Sequence, residues 1–149
     1  MDIGAEIKQS KFKNEYQKLV INMGFTSSWM QRVSSCKLKS YKLTPQQFNI
    51  LRILRGQQPN PASINLLTER MIDKSSNASR LVDKLVKKDL VKRHECPSDR
   101  RQVDVVISQK GLDLLAKIDK EEEEWMTEFK GLSVSEAKEL NRLLDKLRG

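Results

Sequence analysis

The sequence predicts a mainly α-helical fold that carries one short β-hairpin, and three observations support this class. Apolar residues recur at helical spacing through most of the 149 residues. Four of these segments follow a Ser or Thr that can cap a helix, namely Thr44, Ser63, Ser108 and Ser133. Residues 90–108 instead contain the alternation of apolar and polar side chains that is typical of strands.

The N-terminal part predicts helix over residues 5–35, either one long helix or two shorter ones with Gly24 between them. Apolar side chains fall at helical spacing on this segment, including Tyr16, Leu19, Val20 and Met23. Residues 37–43 alternate Lys and Ser with apolar residues, and they predict a polar connector.

Residues 44–71 predict two helices with a loop between them. Thr44 and Gln47 form a capping box around Pro45, which suits the first helical position, and this helix is expected to end near Gly56. The stretch "QQPNPAS" at 57–63 predicts a loop, because two prolines cannot lie inside a helix. Ser63 then begins a short helix.

The next predicted helix covers roughly 75–88. Its apolar residues are spaced i, i+3, i+4, i+7 and i+8, which is a regular amphipathic pattern. They are Ala78, Leu81, Val82, Leu85 and Val86. This pattern predicts one buried face and one polar face.

A hairpin and two further helices complete the chain. Strands are predicted at 90–95 and 102–108, and residues 96–101 form a tip that is longer than the tightest turns. Ser108 is expected to cap a helix over 109–130. Ser133 and Glu136 form a capping box that begins the final helix.

Composition limits the class of protein. The chain has 38% hydrophobic residues, no apolar run near the roughly 18–20 residues that cross a bilayer, and no signal-peptide order at its start. We therefore expect a cytoplasmic protein without a membrane partner. The net charge is +8, and residues 37–110 hold 16 basic and 7 acidic side chains, a net of +9. A basic middle region indicates a polyanion partner or a solvated basic surface.

The order of elements in the middle of the chain is that of a winged helix-turn-helix. The second helix of such a motif enters the major groove, and its N-terminal residues lie nearest the bases. Asn77 can read adenine, and Arg80 can read guanine or hold a phosphate. The predicted DNA-binding residues here are Lys74, Ser75, Ser76, Asn77, Ser79, Arg80 and Lys84.

The hairpin would be the wing, and its tip carries "DRR" at 99–101. Arginine is drawn into narrow, A·T-rich minor grooves by their enhanced negative potential. We predict that Arg101 enters the minor groove, that Asp99 orients it by a hydrogen bond, and that Arg100 contacts a phosphate. The alternation of Val103, Val105 and Ile107 is expected to anchor the strand to the core.

The stretch "SSNASRLVDKLVKKDLVKRHECPSDRRQVDVVISQKGLDLL" resembles the MarR family of bacterial transcription regulators. The D-x-R motif of the family's wing matches Asp99-Arg100-Arg101, and "ISQKG" is similar to the start of the helix after the wing. The resemblance is strong over about 40–110. One departure is Asp89, where the family usually has glycine, so this corner is expected to close differently.

The resemblance implies a single MarR-type domain over 1–149, a homodimer, and a repressor or activator of transcription. Residues 44–108 would form the winged helix-turn-helix, and 1–36 with 109–149 would supply the dimerisation helices. The residues predicted for the dimer interface are Tyr16, Leu19, Val20, Leu140, Leu143, Leu144 and Leu147.

Several residues allow a second interpretation. Phe25, Trp29, Tyr41 and Phe48 are either core residues or the lining of a pocket for a small aromatic effector. Cys36 and Cys96 are either plain thiols or oxidation sensors. His94 and Cys96 are too few for a closed metal site, so we expect no metal and no cofactor.

Two other classes of function compete with DNA binding. One histidine and the lack of a phosphate loop or nucleophile motif leave little basis for an enzyme. A winged helix that binds only protein is the alternative, and the Ser, Asn and Arg cluster at 75–80 disfavours it.

Overall fold

A computed structural model describes residues 2–96, 99–127 and 131–149, with the side chains of 95, 96, 99–102 and 123 excepted. Its helices are α1 (Ile3–Glu6), α2 (Glu15–Lys39), α3 (Pro45–Gln57), α4 (Ile64–Arg70), α5 (Ala78–Val86), α6 (Gln109–Met126) and α7 (Val134–Arg148). Its strands are β1 (Ala62–Ser63), β2 (Val91–Cys96) and β3 (Asp99–Ile107). The predicted class is confirmed: the fold is mainly helical, with a small antiparallel sheet ordered β1-β3-β2.

All four predicted helix caps are confirmed. Thr44 accepts from the backbone N–H of Gln47 at 3.2 Å, and the Gln47 side chain completes the capping box. Ser63 and Ser108 accept from Leu66 and Gly111 in the same way. Ser133 forms the second capping box. These caps satisfy backbone donors that would otherwise lack partners at a helix start.

The core lies between α3, α4, α5, the sheet and the first half of α6. Its fully buried side chains include Ile50, Leu51, Leu67, Val82, Leu85, Val105, Leu115 and Ile118. The predicted alternation of β3 is confirmed at Val105 and Ile107, which are buried, and at Val103, which packs against the core. The sheet and α5 are therefore held to one shared core, and this fixes the direction of α5 relative to the hairpin.

The predicted bounds of the N-terminal helix were wrong at both ends. Residues 7–14 are not helical, and α2 begins at Glu15, where the Asn14 side chain accepts from the backbone of Gln17 at 2.9 Å. The helix runs through Gly24 without a break and includes Lys37–Lys39, which had been predicted as connector. It continues because Leu38 is buried in the core and binds this last turn to it.

Two other bounds also differ from the prediction. Ala62 and Ser63, predicted as loop, form β1 because they pair with Val105 and Asp104 of β3. Helix α6 ends at Met126, with Thr127 as its C-cap, whereas the prediction continued to 130. Of that continuation, residues 128–130 lie outside the described part of the chain.

The corner at Asp89 keeps the left-handed backbone that glycine usually provides, with φ at 61°, so the prediction of a different closure was wrong. The backbone N–H of Leu90 donates to the Leu85 carbonyl at 3.1 Å and ends α5 in the manner of a glycine cap. Ser108 Oγ donates to the Asp89 carbonyl at 2.7 Å. Aspartate tolerates this conformation better than most residues, and these contacts hold it there.

Candidate nucleic-acid interface

Asp73 organises the turn between α4 and α5, and sequence reasoning had missed its role. Its Oδ1 accepts from the backbone N–H and the hydroxyl of Ser75, at 3.0 and 2.6 Å. Its Oδ2 accepts from the hydroxyl of Ser76 at 2.9 Å. Both serines are therefore fixed in place by one exposed carboxylate. The run D-x-S-S was visible in the sequence as a potential Asx turn.

These hydrogen bonds lower the pKa of Asp73 below its ordinary value of 3.8, with the Ser75 side chain as the largest cause and Ser76 next. The Gln46 side chain on α3 adds a smaller contribution in the same direction. A depressed pKa favours the ordered turn at pH values above the unfolded pKa. That contribution is lost only when the pH falls below 3.8, through the folded pKa, so it is fully present near neutral pH.

Helix α5 begins three residues later than predicted. Lys74 to Asn77 precede it, and Asn77 is its N-cap, with Oδ1 accepting from the backbone N–H of Arg80 at 2.9 Å. Ala78, the first helical residue, is buried. The side-chain oxygen of Asn77 is thus engaged within the helix, and its amide NH₂ is the group that this cap leaves for a base edge.

Four of the predicted DNA-binding residues share one cleft at the start of α5. A hollow of about 240 Å³ is lined by Gln46, Ser76, Asn77, Arg80, Leu81 and Lys84. Arg80 and Lys84 are exposed, and they lie four residues apart on one side of the helix. Gln46 is the lining residue that sequence reasoning missed, because only the fold brings α3 beside this turn.

Other predicted DNA-binding residues lie around this cleft rather than in it. The Lys74 ammonium donates to the backbone carbonyl of Glu69, at the end of α4. Ser79 is half-buried on α5. Ile72, which was not predicted as a site residue, is 88% exposed, and its backbone N–H donates to Asn49 Oδ1 at 2.9 Å. Asn49 therefore ties the turn to α3.

The wing differs from the predicted long tip. Residues Asp99, Arg100 and Arg101 belong to β3, and Cys96 pairs with Asp99 after a register shift at Glu95. The backbone of this motif is therefore ordered by the strand itself. The predicted contacts of Asp99, Arg100 and Arg101 concern side chains outside the described ones.

The described part of the hairpin is joined to α5 by an ion pair. The Arg93 guanidinium on β2 donates to the carboxylate of Asp83 on α5. Lys92 and His94 on the same strand are exposed. The pair links the wing to the helix that carries Arg80, in addition to their shared core.

The side chains predicted for dimerisation, except that of Leu144, are exposed in the isolated chain. In α2, which has 25 residues, only Leu38 is buried, and Tyr16 and Val20 are 80% and 69% exposed. Helix α7 buries none of its residues, although Leu140, Leu143 and Leu147 point an apolar stripe outward and Leu144 is half-buried. Two long helices thus present apolar surface that this chain does not cover.

The four aromatic residues predicted for a ligand pocket are all half-buried. The Tyr41 ring lies 6.4 Å from the ring of Trp125 on α6, and a hydrogen bond to Glu121, helped by burial, raises the pKa of its hydroxyl. Phe48 packs against the core, with the Arg52 guanidinium 5.6 Å from its ring. Phe25 and Trp29 lie on α2. Tyr41 and Phe48 are thus placed by packing on α6 and the core.

The remaining candidates from the sequence are the two cysteines and a metal site. Cys36 is an exposed free thiol on α2, and the side chain of Cys96 is outside the described ones. Across residues 2–96, 99–127 and 131–149, no three His, Cys, Asp or Glu side chains are grouped to hold a metal ion. None of the helices in those ranges is long and apolar enough to span a membrane.

The fold, with its helix-turn-helix, its hairpin and its polar cleft at the start of α5, defines a winged helix-turn-helix protein. The family model described as "MarR family" matches residues 43–103. The HTH-type transcriptional regulator MgrA of Staphylococcus aureus is 31% identical over 109 residues, which cover 73% of this chain and 72% of that protein. The chain belongs to the MarR family of transcription regulators, which are not enzymes.

Solved structures agree with this fold. A putative MarR-like transcription regulator from Bacillus cereus has a TM-score of 0.80 at 20% identity, over 90% of this chain and 96% of that chain. A mutant MarR from E. coli, complexed with operator DNA, has a TM-score of 0.80 at 24% identity, over 93% of this chain and 99% of that chain. At these identities the likeness concerns the fold.

The role of Asp73 gives a first prediction, because its charge and its ordering of the turn predict opposite changes in DNA affinity when it is removed. Removing a negative charge beside DNA should tighten binding, whereas losing the order of the turn should weaken it. We expect Asp73→Ala to weaken DNA binding about fivefold, since fixing one residue's backbone costs roughly 1 kcal/mol. Fluorescence anisotropy at fixed salt would measure this. Asp145→Ala removes the same charge on α7 and should change the affinity little. Tighter binding by Asp73→Ala would contradict the ordering role.

Proposed function

We propose that this chain is a homodimeric transcription regulator that binds a pseudo-palindromic DNA operator in a sequence-specific manner. The observation that carries the proposal is the cleft at the start of α5. There Ser76, Asn77 and Arg80 are held together by an ordered turn and are flanked by Lys84. Hydroxyl, amide and guanidinium groups at the N-terminus of a recognition helix are the groups that contact phosphates and base edges.

Within this proposal the chain divides as the sequence predicted. Residues 44–108 contact DNA, and 1–36 with 109–149 supply the dimer interface. The exposed apolar stripes of α2 and α7 support a two-fold interface, because a symmetric dimer can bury the same stripe of both copies. Two recognition helices related by two-fold symmetry would read two half-sites, about one helical turn apart.

The wing contributes a second contact in this proposal. Arg101 enters the minor groove, Asp99 orients it, and Arg100 contacts a phosphate. The link between Arg93 and Asp83 supports a fixed position of the hairpin relative to α5. A response to a small aromatic effector, and oxidation of Cys36 or Cys96, stay predictions.

Salt dependence tests the DNA contact and separates it from the alternative of a winged helix that binds only protein. The logarithm of the affinity for duplex DNA should fall linearly with the logarithm of salt concentration, with a slope of roughly −0.9 for each neutralised phosphate. Lys84→Ala should weaken binding to all sequences by a similar factor and make the slope shallower by about 0.9.

The control is Lys117→Ala, which removes an exposed lysine on α6, away from the cleft. Its slope should equal that of the wild type. An affinity that is indifferent to salt, or an equal change in both variants, would argue for a partner other than DNA.

A further inference from the structure

Five lysines line a second hollow, which shares Lys84 with the cleft at the start of α5. Its volume is about 530 Å³, and it is open to solvent. Lys39 ends α2, and Lys42 lies between α2 and α3. Lys84 belongs to α5, and Lys87 and Lys88 follow directly after that helix. We call this the lysine cavity. The lysine cavity lies between α2, which carries exposed residues predicted for dimerisation, and the recognition helix α5.

The described residues that line the lysine cavity supply no negative charge to balance its lysines. None of its described lining residues is acidic, and within the described part of the chain none of the five lysines forms an ion pair. The pKa of Lys88 is lowered, first by burial and then by the nearby charge of Lys84. Gathering like charges is unfavourable, and a bound anion would offset the repulsion.

The position of the Lys88 ammonium in the lysine cavity is fixed by two hydrogen bonds. The ammonium donates to the Lys42 carbonyl at 2.5 Å and to Gln47 Oε1 at 3.1 Å. Gln47 is itself buried and belongs to the capping box of α3. An ammonium has three donors, so these two bonds leave one for a ligand. Leu43, which is buried, adds an apolar part to the lining.

We propose that the lysine cavity binds a small, multiply charged anion that carries phosphate or carboxylate groups, and that this anion weakens DNA binding. Lys84 lines both the lysine cavity and the DNA-binding cleft. An anion in the cavity therefore neutralises a charge that the DNA would otherwise use. The effect on DNA rests on the proposed function, whereas binding of the anion does not.

The direct test is a calorimetric titration without DNA, at constant ionic strength, with inorganic pyrophosphate and, separately, citrate. The cavity variant is Lys39→Gln with Lys42→Gln, both exposed and outside the predicted DNA-binding residues 44–108. The matched control is Lys117→Gln with Lys138→Gln, which removes the same charge on α6 and α7. The dissociation constant should rise at least tenfold in the cavity variant and stay within twofold in the control.

The two anions identify the chemistry, because tighter binding of pyrophosphate indicates a phosphate site and tighter binding of citrate a carboxylate site. Lack of saturable binding by both, or an equal loss in the control variant, would overturn the proposal. All substitutions are of exposed lysines, and thermal unfolding checks that each variant is folded.

The second arm measures DNA binding at constant ionic strength, with and without saturating anion. The wild-type affinity for DNA should fall at least fivefold, and that of the cavity variant less than twofold. The proposal fails if the cavity variant binds DNA more weakly than the wild type but binds the anion equally well. The substituted lysines would then contact the DNA backbone and not an anion. Because the titration contains no DNA, a failure of the proposed function would leave its result intact.

Discussion

Leu143→Glu is expected to convert the proposed dimer into a monomer and to weaken binding to a palindromic site by roughly 100-fold. Leu143 lies in the apolar stripe of α7, with Leu140, Leu144 and Leu147, and α7 buries none of its residues within its own chain. A carboxylate buried in that interface would be unpaired, and this cost favours the separated chains. Two linked DNA-binding modules exceed the affinity of one by roughly 10²–10⁴.

The measurement combines size exclusion with light scattering and DNA titration of full and half sites. The dimeric wild type should prefer the full site, and the variant should bind both equally. Lys138→Gln is the control, because it changes the charge by the same amount on the opposite side of α7. A wild type that remains monomeric at micromolar concentration would contradict the dimer. It would also remove the reason for a palindromic operator.

The four helix starts with a Ser or Thr cap were predicted correctly from the sequence, for a local reason. The capping box of Thr44 and Gln47 satisfies donors within four residues, so no distant contact is needed to establish it. The same holds for Ser63, Ser108 and Ser133. The start of α5 was misplaced because Ser75, Ser76 and Asn77 can all serve as caps. Asp73 engages the two serines and leaves Asn77 as the cap.

Features that depend on distant partners were missed. Strand β1 has two residues and exists only through pairing with β3, more than 40 residues later. Leu38 extends α2 beyond its expected end because it is buried in a core that the local sequence does not show. Gln46 reaches the candidate site, and the residues of the lysine cavity meet, only through the fold of the whole chain. The local sequence therefore predicted neither feature. Residue types predicted the chemistry of this middle region, whereas the fold decided which residues share a surface.

The wing carries the other large expected effect. Arg101→Ala should weaken binding to an A·T-flanked palindromic site by about tenfold to 100-fold. That corresponds to roughly 1.4–2.8 kcal/mol, which is within the range of a good specific contact. Removing a desolvated minor-groove arginine should reduce the affinity more than removing one surface charge does. Lys92→Ala provides that comparison, because Lys92 is an exposed basic residue on β2 of the same hairpin. Lys92→Ala should reduce the affinity several-fold less than Arg101→Ala does.

Asp99→Ala decides whether the carboxylate orients Arg101. Simple electrostatics predicts tighter DNA binding when a negative charge is removed, and the orienting role predicts weaker binding. Because Asp99 and Arg101 both belong to β3, the strand already orders their backbone, and the orienting role concerns the arginine side chain alone. We expect Asp99→Ala to weaken binding. Its effect should largely disappear in the Arg101→Ala background, since a residue that acts through Arg101 has nothing left to orient.

The test is a double-mutant cycle of wild type, Asp99→Ala, Arg101→Ala and the double variant, measured on one palindromic site at one salt concentration. A coupling energy above about 0.5 kcal/mol supports the orienting role, because independent sites add to within that range. Tighter binding by Asp99→Ala without coupling would leave Asp99 as a residue of the strand end alone. Whether Arg101 enters the minor groove is decided separately, because an Arg101→Ala loss no larger than that of Lys92→Ala would mean that Arg101 acts only through its charge.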